Sequence, residues 1–421
     1  IACRTVRIRA RWFERATALA PPLIVVFQLM ELWRWPVALG LRTGGPHLFD
    51  PPFHVPIAAA GVCVAITLGV RRSLPAWLCM LPLAGLHAAI GCAVISLTPD
   101  PKIDVVEFHR AGITALLEGQ NPYTVDMPNI AGVSAHPVVA ITQDGKLDVG
   151  FPYLPMPLLL GMPSQILLGD YRYGCLAAIE IAALLLSWLA GRRRLGFFAT
   201  VVFLFTPRTF LVVQQGWNEP FSLLLVVAAL VVVQRWPRWV FLPLGLMLAS
   251  KQYLGGLLAL FPLLRSGVGW SSGRDAIRTV LLSIGVAFVV VMIVCRADLA
   301  ALNHSAFEFH HRMPWRPDSL SFSAWFSDGV APGFGSWTSA VAGLSALALV
   351  FCFRSRGGAA FCAAAGLSLT AGFAFASQAF ANYYFFAIGM FCAGAVMREN
   401  SAPGLDAASS QGLNPARESN A

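Results

Sequence analysis

Apolar runs of roughly 17 to 25 residues, the length of a bilayer crossing, follow one another along most of this chain, and short polar clusters separate them. The clusters carry the arginines. Arg4, Arg7, Arg9, Arg11 and Arg15 precede the first run, at about 16–39, which places the N-terminus in the cytoplasm. The second run ends at Arg71-Arg72, and a third, about 74–97, leads out to a long polar loop. Runs at about 173–190, 195–213, 276–295, 336–353, 358–377 and 379–397 continue the alternation, with another between Glu219 and Arg235. Residues 151–170 are apolar, but Pro152, Pro155, Pro157 and Pro163 make a regular helix costly there. Reading that segment as re-entrant or interfacial keeps Arg192-Arg193-Arg194 inside. Residues 239–264 have Arg238 and Arg265 at their ends and Lys251-Gln252 at their centre, which favours a hairpin of two short helices turning at Lys251.

The pattern therefore predicts an all-α polytopic membrane protein with about ten full spans, one short helical hairpin and both termini cytoplasmic. It divides the chain into a basic N-terminus (1–15), a single transmembrane domain (16–399) with outer loops 98–172 and 296–335, and a tail (400–421). The tail is rich in Ser, Ala, Pro and Gly and is expected to be disordered. The first run lacks a small-residue cleavage site and is read as a retained span. The start at Ile1 suggests a trimmed N-terminus.

The first sizeable polar segment is Lys102–Tyr123. On helical geometry Asp104, Glu107, Thr114 and Glu118 share one face, and Val105, Val106, Phe108, Ile113, Leu116 and Leu117 share the other. That predicts an amphipathic helix lying in the interface, closed by Gly119 and Gln120-Asn121-Pro122.

Composition agrees with this reading. The 421 residues are 57% hydrophobic and only 12% charged, against about 25% charged in soluble domains. The net charge of +9 belongs to topology signals, so no nucleic-acid partner is expected. Most of the nine cysteines lie inside apolar runs, without CxxC or Cys/His ligand spacing, and indicate neither disulfides nor zinc. There is no Walker loop, GxGxxG, GxSxG, HExxH or DxD motif, which points away from nucleotide chemistry.

Polar residues with chemical potential converge on the predicted outer face: Asp104, Glu107, His109, Asn218, Glu219, Lys251, His310, His311, Arg312, Arg316, Asp318, Gln378 and Asn382. Asp104, at a helix start, is either a general base for an acceptor hydroxyl or a solvated cap. Glu107 is a helper or part of a solvated face. His109, on the apolar face, reads as a packed, hydrogen-bonded histidine or a second helper. Lys251, flanked by apolar residues, suits a lipid phosphate, with snorkelling as the bland alternative. His310, His311, Arg312 and Arg316 form a cationic patch beside Trp315 and Trp325. That patch fits phosphate binding and sugar stacking, or an ordinary positive loop with belt aromatics. No metal site is assigned.

Several of these stretches resemble one family. Leu116–Tyr123 (LLEGQNPY), preceded by an acidic residue on an interfacial helix, is similar to the G-x-NPY of GT-C membrane glycosyltransferases. The nearest likeness is to glycosyltransferase family 87, the polyprenyl-phosphate-mannose-dependent mannosyltransferases. Phe151–Pro157 (FPYLPMP) resembles that family's Y-x-P run, Gln214–Asn218 (QQGWN) its GQ-x-N, Ala249–Gln252 its mid-membrane lysine and Ala379–Tyr384 (AFANYY) its late aromatic cluster. Trp217 alters the glycine-to-asparagine spacing, and Asp318–Ser321 has no counterpart. The resemblance implies inverting transfer of mannose or another sugar from a polyprenyl-phosphate donor, without a cofactor. The acceptor would be a glycolipid or polysaccharide at the outer face of a bacterial inner membrane. It implies Asp104 as base, Lys251, His311, Arg312 and Arg316 on the donor phosphate, and Tyr123, Gln215, Asn218, Glu219, Trp315, Asp318, Gln378 and Asn382 around the substrates. A flippase or transporter, or a non-catalytic binder of polyprenyl-linked sugars, is the rival reading. The absence of an internal repeat and the one-sided polar groups weigh against the flippase.

Overall fold

The structure, a computed structural model, describes residues 20, 22–34, 51–70, 74–130, 139–264, 273–313, 316, 318–325, 334–352 and 356–398. The basic N-terminus to Arg15, Arg71-Arg72, Arg265, Trp315 and the tail from 400 lie outside these residues. Among the described residues the regular structure is helical, and β pairing is limited to isolated bridges from Leu147 to Met127 and Ile141.

In chain order the helices are α1 (22–34), α2 (Pro51–Val70), α3 (Ala76–Leu97), α4 (Asp104–Leu117), α5 (Met156–Leu168) and α6 (Arg172–Ala190). Then come α7 (Arg194–Phe205), α8 (Pro207–Gln214), α9 (Glu219–Arg235) and α10 (Phe241–Leu248). A 3₁₀ segment (Gln252–Leu264) leads to α11 (Gly273–Val294), α12 (Leu299–Leu302), a π-helical stretch (Asn303–Glu308), α13 (Phe309–Arg312) and α14 (Phe322–Trp325). The chain closes with α15 (Phe334–Cys352), α16 (Gly358–Ala374) and α17 (Ala381–Arg398).

Among the described residues three helices, α3, α6 and α11, are long and apolar enough to cross a bilayer, and the bent pair α7–α8 makes a fourth if taken as one span. The other apolar stretches among the described residues, such as Pro51–Thr67, Thr338–Ala348 and Gly358–Ala374, run 10–17 residues. On α11 only 17% of the apolar window is buried, and Ile277, Leu281, Phe288, Val289 and Ile293 are 54–70% exposed. A face of that kind suits an apolar surrounding such as lipid. These helices mark the chain as a membrane protein.

The run at 195–213 is not one straight helix: α7 and α8 meet at 44°. Pro207 has no N–H to donate, and it holds Thr206 extended (φ −61°, ψ 124°). The Thr206 hydroxyl accepts from Gln28 Nε2 at 2.9 Å, so α1 braces the bend. In 151–170, Pro152 and Pro155 precede α5, Pro157 sits in its first turn, and only Pro163 is interior. Thirteen residues rise about 20 Å, short of a hydrocarbon core of about 30 Å.

The segment 239–264 turns back on itself at Lys251. Just before the turn, Ser250 Oγ lies 2.8 Å from Ser222 Oγ in the first turn of α9. Just after it, Tyr253 packs on Phe373 and Tyr383. At the far end Leu263 O accepts from Gly357 N at 2.6 Å, and Phe261 touches Phe361. The 3₁₀ limb therefore runs antiparallel to α16, towards the end of the bundle where α10 began.

Two ends of the bundle are distinct. At one, Ala76 N donates to Gly191 O (2.7 Å) and Gln234 Nε2 to Met397 Sδ (3.5 Å). Arg192, Arg193, Arg194, Arg235, Arg238 and Arg356 gather at this arginine end. At the other, Arg172 Nη1 donates to Gln214 O (3.1 Å) and Asn382 Nδ2 to Glu219 (2.8 Å). The larger apolar core links α3, α6, α7, α9, α10, α16 and α17. A second core, at the α4 end, joins Val106, Phe108, Ile113, Phe151, Leu158 and Tyr171 to Phe309.

Candidate active site

The site is assembled from α4 outward. Val105, Val106, Phe108, His109, Gly112, Ile113 and Ala115 form the buried face of α4, and α5 lies beneath it. A Cβ on Gly112 would come within 3.0–3.1 Å of Leu158 and Phe151, so the two helices approach closely there. Leu117 falls off this face and is 54% exposed. Beyond Gly119 (φ +72°), Asn121 makes an Asx turn. Its Oδ1 accepts from Tyr123 N at 3.0 Å, and its Nδ2 donates to Cys295 O at 2.9 Å. The Tyr123 hydroxyl donates to Tyr153 O at 2.9 Å, and Tyr123 is 2% exposed. Burial pushes its phenol well above the ordinary value. Tyr123 is therefore an anchor of the Tyr153 loop and makes no contact with open space.

That loop and the hairpin tip hold each other. Gln252 Nε2 donates to Pro152 O (3.1 Å) and to Ala306 O (2.7 Å), while His310 Nε2 donates to Pro152 O (2.7 Å). Met156 N donates to Ala249 O at 3.0 Å. The result places the Tyr153 ring 4.4 Å from Lys251 Nζ, a cation–π contact. Lys251 Nζ also lies 3.0 Å from Glu219 Oε1, which accepts from Asn382 Nδ2 at 2.8 Å. Glu219 is fully buried and its Oε2 has no hydrogen-bond partner. The buried Lys251 cation thus has a protein countercharge.

Behind this wall stands His109. Its Nδ1–H donates to Val105 O (2.8 Å), which leaves Nε2 to accept from Asn218 Nδ2 (3.3 Å). The ring stacks on Tyr171 at 4.6 Å and 9°. Burial drives its pKa down to about 3, against the hydrogen bond to Val105 and with help from the Lys251 charge. His109 and Asn218 are packed, neutral structural groups.

In front of the wall opens a cavity of about 560 Å³. Its walls bring together Asp104, Lys251, Arg316, Asp318, Gln378 and Asn382, drawn from four distant stretches of chain. Lys102, His310, Trp217, Tyr153, Phe380 and Tyr383 complete the lining that matters chemically. Asp104 is the first residue of α4, where the helix dipole favours a carboxylate, and its Oδ1 accepts from Val105 N at 2.7 Å. Arg316 grips Asp318 with two bonds (3.0 and 2.8 Å), and its guanidinium sits 5.0 Å above Phe380. That bidentate bond raises the Arg316 pKa and holds the Asp318 carboxyl below its usual range.

Other predicted site residues fall elsewhere. Glu107 pairs with Arg110 at 2.7 Å and faces a different groove with Thr114 and Glu118. Arg312 pairs with Glu308 at 3.0 Å in a hollow of about 180 Å³ beside Asp148 and His304. His311 is exposed on α13 and lines neither space. Gln215 caps α8, half-buried and off the cavity. Trp315 lies outside the described residues.

Several groups escaped the sequence reading. Lys102 lines the cavity beside His310, the one histidine of the predicted cationic patch that does, and the ion pair of Asp170 with the fully buried Arg172 (2.6 Å) pins the α5–α6 corner. Within the apolar spans His87 Nδ1 meets Glu180 Oε1 at 2.5 Å. A lone glutamate inside an apolar run was the available signal for that pair. Among the described residues no three His, Cys, Asp or Glu side chains come together as a metal ion would need. No family model, curated protein or solved structure matches this chain.

Proposed function

We propose that this protein is an inverting, GT-C-like glycosyltransferase of about ten spans that takes a sugar from a polyprenyl-phosphate donor. The acceptor would be a glycolipid or polysaccharide hydroxyl at the outer face of a bacterial inner membrane. The observation that carries this reading is the one cavity in which a helix-terminal carboxylate, Asp104, shares a wall with Lys251 and Arg316 among aromatic side chains. Aromatic faces suit a sugar, guanidinium and ammonium suit a phosphate, and a carboxylate suits a hydroxyl proton.

The chemistry balances without another reactant. Asp104 accepts the proton of the acceptor hydroxyl as its oxygen bonds to the anomeric carbon from the face opposite the phosphate. The anomeric C–O bond to phosphate breaks, and the polyprenyl phosphate leaves with one additional negative charge. Lys251, Arg316 and Lys102 lower the cost of that charge, with His310 at the same wall. Arg312 and His311 have no part in this step, because they stand outside the cavity. Glu219 acts through Lys251, fixing the ammonium without touching a substrate.

Purified wild type and Asp104→Asn, supplied with synthetic polyprenyl-phosphate sugars and extracted envelope acceptors, test the reading. Transfer by wild type, reduced about 10²–10⁴-fold in the variant while donor binding persists, is the expected result. Equal rates would remove Asp104 as base. Donor binding and transbilayer movement without transfer would favour the flippase, and donor binding with neither would favour the accessory binder.

A further inference from the structure

A second cavity lies at the arginine end, far from the α4 cavity. It is a groove of about 450 Å³ with α6 as its floor and α3 and α9 as its banks. Its walls rise in helical steps: Trp77 and Leu81 on α3, Leu184, Leu185 and Trp188 on α6, and Val231 and Arg235 on α9, with Trp236 at its mouth. Spacings of three and four residues keep each set on one face. The groove is apolar throughout except at Arg235.

Arg235 is placed with purpose. Its guanidinium sits 4.7 Å above the Trp188 ring, an arrangement that covers one face and leaves the N–H edge outward. Among the described residues it has no carboxylate partner, and it lines the groove. Arg193, a few residues from Trp188, instead donates to Ala190 O (2.8 Å) and to Leu189 O. Trp77 and Trp236 are 39% and 61% exposed at the rim, where an indole favours the headgroup level of a bilayer.

We infer that this groove is a binding site for one anionic phospholipid, with an acyl chain along Leu81, Leu184, Leu185 and Val231 and the phosphate on Arg235. The occupant follows from charge and shape together. An apolar trough one to two helical turns deep takes a hydrocarbon chain, and a single outward-facing guanidinium at its mouth takes a phosphate. The neighbouring Arg192 and Arg194 add positive potential, so a headgroup of net negative charge gains over a zwitterionic one.

Native mass spectrometry of the full chain from micelles with equal phosphatidylglycerol and phosphatidylethanolamine tests this. Wild type is expected to retain one phosphatidylglycerol in preference to phosphatidylethanolamine by about tenfold. Arg235→Gln should bring that ratio near one, and Arg235→Lys should keep part of it. Leu81→Trp, which fills the trough, should remove the adduct, and Arg238→Gln should behave as wild type. Each variant is checked for a wild-type melting temperature. If Arg235→Gln fails to fold, Leu81→Trp against Arg238→Gln decides. Equal retention of the two lipids by wild type would overturn the site, as would an undiminished preference in Arg235→Gln. So would displacement of the adduct by millimolar inorganic phosphate, which would make it a bare anion site.

Discussion

Lys251 and Glu219 determine each other. A buried carboxylate without its cation, or the reverse, costs about 3–5 kcal/mol, whereas replacing both by uncharged groups is close to neutral. Lys251→Met should therefore lower the melting temperature in detergent steeply, as should Glu219→Gln, and the double variant should recover most of the loss. Sugar transfer should stay low in all three: two have lost the Lys251 cation from the cavity, and in Glu219→Gln that cation is no longer held by its carboxylate. A double variant no more stable than the worse single would show that the 3.0 Å pair is not coupled. The lysine was visible in the sequence as an expensive cation in an apolar run. The pairing was not, because Glu219, beside Trp217-Asn218 at a helix start, reads there as an acid facing the substrates. Spacing along a chain cannot announce a contact between a hairpin tip and the first turn of another helix.

His109 makes a pH prediction at the same scale. Folded, it titrates at about 3; unfolded, near 6.5. Its folded pKa is depressed, so the unfolded state binds the extra proton first, and stability is full above pH 6.5 and lost as pH falls toward 3. The slope is about 1.4 kcal/mol per pH unit within that window. Between pH 6.5 and 5 wild type should lose melting temperature faster than His109→Gln, which cannot take up that proton. Parallel curves would show that the buried imidazole is not neutral for this reason.

At the scale of elements, the turn from Gly119 to Tyr123 is a fastening of the architecture. Asn121 fastens α4 to the end of α11 through Cys295 O, and Tyr123 fastens the same turn to the Tyr153 loop. Ser305 extends the clamp, accepting from Gly150 N at 3.0 Å and donating to Tyr123 O at 3.1 Å. Asn121→Ala removes two buried bonds and should cost about 1–3 kcal/mol. It should also speed tryptic cleavage at Lys146, on the strap that the clamp holds. Cleavage at the wild-type rate would show that the turn is fixed by packing alone. The amphipathic face of α4 was legible from periodicity, since a 3.6-residue repeat needs no knowledge of what lies beneath. The bend between α7 and α8 was announced by Pro207, yet hydropathy alone runs through it, because a proline costs a hydrogen bond and no apolarity. The π-helical stretch and the 3₁₀ limb left no such mark.

For the whole molecule, hydropathy specifies helices and charge specifies ends, and the two are independent. Arg192, Arg193, Arg194, Arg235, Arg238 and Arg356 collect at one end, and the cavity with Asp104, Lys251 and Arg316 opens at the other. If the positive-inside rule holds, the cavity faces out, where a polyprenyl-linked donor would be used without any nucleotide. Cysteine labelling in intact cells tests that sidedness. Lys102→Cys, on the exposed cavity rim, should react with a membrane-impermeant maleimide added outside. Arg238→Cys, exposed at the arginine end, should react only after permeabilisation. The unsubstituted chain, labelled under the same two conditions, is the control for its nine native cysteines. The reverse pattern would put Asp104 in the cytoplasm. It would leave the all-helical bundle and its cavity intact but remove the outer-face donor, because the same carboxylate and cations would then meet nucleotide-sugar chemistry, for which the chain carries no motif.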